Sequence, residues 1–295
     1  MSFNAAGTKA ALIAPAGKII NPDTVELGRA YLESLGYQVL PGKHLFAADR
    51  YMAGTDAERA ADVMDAYRDP EIKIIFTTAG AAGSQRILPL LDYKTIAANP
   101  KPLVGLSDIT ALQLAVWQKA GVGSLTGFTM SLDFRDGHIN GVLDENLQNI
   151  LSGKKLSAQG GETVIGGNAE GVLVGGCLSL VRNLCGTEYY PDLSGKILVL
   201  EDVGERVHKI DLMLIQLAQN PGFSKLRGIV FGQFLNCVPK DDFDGTVDDA
   251  IADFCKSLSI PAIKHFPYGH IRERYVLPIG AKVRLDADNC RLEQI

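Results

Sequence analysis

Four times in its first half the chain runs from a short, unbroken apolar stretch into a window with helical spacing. The pairs are "KAALIAPAG" with "PDTVELGRAYLESLG", "YQVLPG" with "TDAERAADVMDAYRD", "IKIIFTTAG" with "SQRILPLLDY", and "PLVGLS" with "DITALQLAVWQKAG". Apolar strands without polar alternation are buried on both faces, and strand-helix alternation of this kind specifies a parallel sheet covered by helices on both sides. The fold class is therefore α/β. Ligands on such sheets sit beyond the carboxyl ends of the strands, which is where "TTAGAAGS" and "VGLSD" fall.

From about Leu132 the pattern weakens into a stretch rich in Gly, Asn and Ser, and it recovers at "GVLVGGCLSLVRNLCGT". This predicts an N-terminal α/β domain over 1–135, a linker over 136–170 and a smaller C-terminal α/β domain over 171–295. The second unit reads as strand "GKILVLED", helix "HKIDLMLIQLAQN", strand "LRGIVFGQF", helix "TVDDAIADFCKSL", strand "PAIKHFPYG" and a closing pair around "YVLPIGAKVRLDAD". No internal repeat or low-complexity tract interrupts it.

With 295 residues, 46% of them hydrophobic, the chain has material for two cores. Its formal net charge of -5 offers no basic field for nucleic acid or an anionic membrane. Five cysteines without a CxxC pair suit a reducing cytosol. The first residues lack a basic leader and the apolar run breaks at Pro15, so a cytoplasmic protein is expected, with neither signal peptide nor membrane span.

Ser107 stands where an apolar strand turns directly into a helix. Such a residue is either a helix N-cap, with Asp108 complementing the helix dipole, or a nucleophile presented at the sheet edge beside free amides. Glu201 and Asp202 follow the apolar run "ILVL", again at a carboxyl edge, as caps or as site acids. His270, in "YGHIRERYVLPIG", lies in a loop between two apolar stretches. A serine hydroxyl needs an imidazole to take its proton, and the imidazole needs an acid to fix its tautomer, so Ser107, Glu201 and His270 form a candidate set. His44, His138, His208 and His265 have plainer settings. There is no HExxH, no metal-ligand spacing, no GxxxxGK[ST] and no GxGxxG, so no metal or cofactor is expected.

From about Ala11 to Asp288 the chain resembles the LD-carboxypeptidases, the serine peptidase family that includes the microcin C immunity peptidases. The stretches that carry the resemblance are "GSQRILPLLDYKTIAANPK", "VGLSDITALQLA", "GGCLSLVRNLCGT", "GKILVLEDVGERVHKIDLMLIQL", "IVFGQF" and "GHIRERYVLPIGAKVRLD". The resemblance implies a glutamine amidotransferase-like N-terminal sheet and a Ser-Glu-His triad at Ser107, Glu201 and His270. It also implies an oxyanion hole from the backbone amides of Asp108 and Ala81. The implied reaction removes a C-terminal D-alanine from a cytoplasmic murein tetrapeptide during cell-wall recycling, by a homodimer.

The chain departs from that family in places. "TAGAAGS" stands where members commonly carry Gly-Gly-aromatic-Gly, and an alanine at position 81 takes a positive φ only with strain. "LTGFTMSLD" replaces a frequent His-Gly-Pro form, and Cys177 a frequent Asn. Arg86, Arg272 and Arg274 are candidates for holding a substrate carboxylate. An immunity-type peptidase acting on an aminoacyl-nucleotide, and a non-catalytic peptide-binding relative, are the rival readings.

Overall fold

The computed structural model describes residues 7–220, 222–241 and 243–295; the reading of the amino terminus as leader-free rests partly on residues 1–6, outside the described ones. The first part runs β1 Lys9–Ile13, α1 Pro22–Ser34, β2 Gln38–Pro41, α2 Asp56–Arg68, β3 Ile72–Thr77, α3 Ser84–Ile87, α4 Tyr93–Ala98, β4 Leu103–Gly105, α5 Ile109–Ala120 and β5 Ser124–Thr126. Local chemistry sets several boundaries. Asn21 caps α1 ahead of Pro22, Thr55 and Glu58 close a capping box on α2, and α5 stops at Gly121, whose φ is +67°.

The second part runs α6 Met130–Asp133, α7 Gly141–Leu151, β6 Ser157–Gln159, β7 Glu162–Ile165, β8 Asn168–Cys177, α8 Leu178–Asn183, β9 Lys196–Val203, α9 Val207–Ala218, β10 Gly228–Leu235, α10 Val247–Cys255, β11 Ala262–Lys264, β12 Leu277–Ile279, β13 Lys282–Asp286 and β14 Arg291–Gln294.

Two sheets result. The first has the order β12-β5-β4-β3-β1-β2, parallel from β5 through β2. Consecutive buried residues along β1, β3, β4 and β5 show that both of its faces are covered. The second has the order β6-β14-β13-β8-β9-β10-β11-β7, with β8 to β11 parallel and antiparallel strands on either flank.

The boundaries differ from the expected division at two points. The stretch 136–170 is more than a connection: it carries α7 and contributes β6, β7 and the start of β8 to the second sheet. β6 and β7 are short edge strands with several exposed residues, so their composition resembles loop. Conversely β12, which lies in the C-terminal half, pairs antiparallel with β5 in the first sheet. Its central Pro278 cannot donate a ladder bond, which suits an edge position.

Candidate active site

The turn out of β4 is strained. Ser107 has φ +67°, a conformation that an L-residue reaches at a cost of about 1–3 kcal/mol. Asp108 then opens α5, yet its side chain makes no bond to the helix amides. Instead its carboxylate accepts the Ser84 N–H at 2.7 Å, and its carbonyl accepts the Ser84 hydroxyl at 2.6 Å. The capping role considered for this pair is thus unfilled, and the Asp108 amide has no acceptor among the described residues. Burial pushes the Asp108 carboxyl upward from its ordinary pKa, opposed by the hydrogen bonds from Ser84 and Gly83 and by Arg59.

The loop after β3 is clamped against this elbow. A Cβ placed on Gly80 would lie 2.7 Å from Ser107 Cβ and 3.0 Å from both Asp108 N and Leu106 O, so no side chain fits there. Ala81 takes φ +64° and is exposed, leaving its amide also without an acceptor among the described residues. The alanine therefore does adopt the left-handed conformation expected to strain it. Arg59, with a fully buried side chain, fixes the loop from behind by donating to Pro15 O at 2.8 Å and Gly83 O at 2.7 Å. It is also paired with Asp56.

The acid and the histidine meet directly. Glu201 lies within β9, whose strand continues beyond the apolar run to Val203, and it is fully buried. His270 Nδ1 donates to Glu201 Oε2 at 2.7 Å, with the imidazole 12% exposed. That bond leaves Nε2 as the basic nitrogen of the neutral ring. Gly269 has φ +126°, and a Cβ there would stand 2.9 Å from Glu201 Oε2, so the approach of the histidine loop depends on this glycine. Glu201 Oε1 has no partner among the described residues.

Three contacts bind the first part of the chain to the strand of the acid and the loop of the histidine. Thr110, in the first turn of α5, accepts the Cys177 amide on Oγ1 at 3.1 Å, and Cys177 is the register partner of Glu201. Thr126, at the end of β5, shares a 2.8 Å hydrogen bond with the Tyr268 hydroxyl, two residues before His270. Arg274, fully buried, donates to Gly127 O at 2.8 Å and to Asp133 Oδ1 at 2.6 Å, pinning the far end of the histidine loop. The Ser107 hydroxyl itself has no hydrogen-bond partner among the described residues; such bonds often tighten only with substrate bound.

Two family models match this architecture: the LD-carboxypeptidase N-terminal domain over residues 10–127 and the LD-carboxypeptidase C-terminal domain over residues 170–285. The chain belongs to the LD-carboxypeptidase family. A family member from Bacillus subtilis (strain 168), named probable murein peptide carboxypeptidase, is 33% identical over 95% of this chain and 89% of its own. The murein tetrapeptide carboxypeptidase of Pseudomonas aeruginosa is 30% identical, covering 96% of this chain and 94% of its own. Among solved structures, the muramoyltetrapeptide carboxypeptidase of Oxalobacter formigenes superposes with a TM-score of 0.87 at 27% identity, over 97% of each chain. The microcin C7 self-immunity protein MccF of Escherichia coli is a more distant relative, 28% identical over 89% of this chain and 85% of its own.

Within this LD-carboxypeptidase fold, the arginines weighed as carboxylate binders are already engaged. Arg86 grips Asp56 with two bonds of 2.9 and 2.7 Å, Arg272 is paired with Asp136, and Arg274 with Asp133. His44, His208 and His265 pair with Asp62, Asp244 and Asp248, and His138 is exposed. No cluster of metal-ligating side chains occurs among the described residues. Cys177 is a buried thiol whose pKa is pushed well above the ordinary value by burial and by the neighbouring Glu201 and Asp202. Arg59, Thr110, Tyr268 and Asp133 support the site without having announced themselves, and Arg274, considered as a carboxylate binder, does so as the partner of Asp133. Arg59 was one of two arginines in a helical window, with nothing to set it apart from Arg68, and burial is not written in sequence.

Proposed function

We propose that this protein is an LD-carboxypeptidase that removes a C-terminal D-alanine from an L-centre in murein tetrapeptides. The observation that carries this is the Ser107 elbow, strained and uncapped, in a family chain whose His270 is held by Glu201. In this reading His270 Nε2 takes the Ser107 proton as Oγ bonds to the carbonyl carbon of the penultimate residue. The oxyanion accepts hydrogen bonds from the Asp108 and Ala81 amides. Collapse breaks the C–N bond, His270 returns the proton to the departing amine, and D-alanine leaves. Water, deprotonated by His270, then attacks the acyl ester and restores the serine. Glu201 holds the tautomer and stabilises the imidazolium throughout.

Protein groups alone perform every step in this mechanism. Five unpaired cysteines fit a reducing cytoplasm, and the resemblance supports a homodimer. No helix among the described residues is long and apolar enough to cross a membrane. Against an aminoacyl-nucleotide substrate, the single tryptophan, Trp117, stands eight residues beyond Ile109, the first residue of α5, about 12 Å along the helix axis from the serine elbow. Its ring packs against Gly280 instead.

The test is mass spectrometry of L-Ala-D-Glu-diaminopimelate-D-Ala incubated with the protein and with Ser107→Ala, beside fluorophosphonate labelling. Loss of one D-alanine with the wild type only, and a label lost in the variant, is the expected outcome. A folded protein that neither releases D-alanine nor takes the label is a binding relative. Labelling without D-alanine release moves the substrate, and an aminoacyl-nucleotide is then the next to try.

A further inference from the structure

The oxyanion loop has a second neighbour, formed by two segments that follow β1 and β2. Gly17 N–H donates to Gly80 O at 2.9 Å, and a Cβ on Gly17 would fall 2.4 Å from Ala81 Cβ. Lys18 N–H donates to Tyr51 O and Ala53 N–H to Ala16 O, each at 3.0 Å, so residues 16–18 and 51–53 run side by side. Met52 reaches the other end of the loop, its Cγ 3.1 Å from where a Gly83 Cβ would be. Lys18, Arg50 and Tyr51 therefore stand on the edge that borders Ala81.

Their chemistry is unusual for this surface. The chain carries a net charge of -5, and the arginines nearest the site are committed to Asp56, Asp133 and Asp136. Lys18 has no carboxylate partner among the described residues, and Arg50 has only its sequence neighbour Asp49, at 3.6 Å with the arginine side chain 63% exposed. Tyr51 is 52% exposed, with the Arg50 guanidinium 5.8 Å from its ring centroid. Arg50 is also one of the few described non-glycine residues at positive φ, +56°. Lys18, joined to Tyr51 through the backbone, and Arg50, beside the Tyr51 ring and only loosely paired with Asp49, put two cations next to an exposed aromatic residue, a surface for an anionic chain with an apolar stem.

We propose that Lys18, Arg50 and Tyr51 form a subsite for the carboxylate-bearing part of the peptide on the amino-terminal side of the scissile bond. This rests on the carboxypeptidase reading above. The leaving group there is one small residue, whereas the remainder of the peptide is longer and extends further from Ser107. We assign the exposed edge bordering the oxyanion loop to that longer, acyl part. The subsite adds uniform binding, present equally in ground and transition states, so it acts on KM and leaves kcat alone.

The experiment is steady-state release of D-alanine from L-Ala-D-Glu-diaminopimelate-D-Ala at low and high salt by the wild type, Tyr51→Ala and the double variant Lys18→Ala/Arg50→Ala. KM is expected to rise about tenfold in each variant with kcat within about twofold. In the wild type KM should climb with salt, and in the double variant that dependence should flatten. An active wild type whose variants keep their KM, or lose kcat in parallel with kcat/KM, overturns the subsite and leaves the reaction standing. A wild type that releases no D-alanine overturns the reaction and the subsite together.

Discussion

Gly80→Ala presses on the oxyanion loop and the serine elbow together. Gly80 does not occupy a positive φ, so the added methyl brings no conformational strain of its own, and the entire effect is steric. The methyl would stand 2.7 Å from Ser107 Cβ and 3.0 Å from Asp108 N, against an ordinary contact of about 3.5–4.0 Å. Both obstacles are fixed, one to the strained elbow and the other to the backbone, so the loop must retreat by several tenths of an ångström. Retreat displaces the Ala81 amide, and the methyl itself covers the Asp108 amide. Removing one oxyanion donor lowers kcat by about 10²–10³, and disturbing both should reach at least the upper end of that range. The assay is D-alanine release under saturating substrate, with near-ultraviolet circular dichroism and a urea titration to show that the fold persists. Fluorophosphonate labelling should slow in parallel, since it too develops a negative oxygen. A folded Gly80→Ala enzyme with wild-type kcat would mean that these amides do not serve the reaction, and the mechanism would need another set of donors.

Ala81→Gly relieves the left-handed strain at φ +64° and should raise stability by about 1 kcal/mol in urea unfolding, with activity retained. Arg274→Leu strands the buried Asp133 carboxylate, whose loss of a partner should cost about 3–5 kcal/mol; adding Asp133→Leu should recover much of it in the same titration. Burial raises the Asp202 pKa to about 6, against the hydrogen bonds from the Val203 and Ser179 amides. The folded state therefore binds more protons than the unfolded chain between about pH 4 and 6, and unfolding free energy should fall as pH rises through that window. Asp202→Asn should flatten the slope, as read by urea unfolding at pH 4.5 and 7.

Most of the architecture was legible because it is written in hydrophobic period. Four apolar runs alternating with helical windows became β1 to β4 and their helices, and the second unit followed its expected order from β9 to β11, but the closing pair is split, β12 joining the first sheet and β13 lying between β8 and an unexpected β14. Reading failed where the pattern is thin. β6 and β7 have too few buried residues to stand out from a Gly-rich stretch, and β12 looks like any short apolar run until its partner is known. For the site, sheet-edge positions drew notice to Ser107, Glu201 and His270, and the structure brings Glu201 and His270 into contact. What sequence withheld is commitment: that Asp108 serves Ser84 and not its own helix, and that Arg86, Arg272 and Arg274 are already spoken for. Those facts depend on side chains far apart in the chain.

The placement of β12 has a consequence for synthesis. A nascent chain that has emerged through residue 135 carries the serine elbow on a sheet whose β5 edge is bare, three buried positions with nothing beside them. That edge is covered only when residues 277–279 arrive, and they arrive just after His270. The same late segment that seals the first sheet against pairing with a neighbouring chain thus follows directly on the histidine proposed as the base, so a truncated translation product is expected to aggregate and to lack activity.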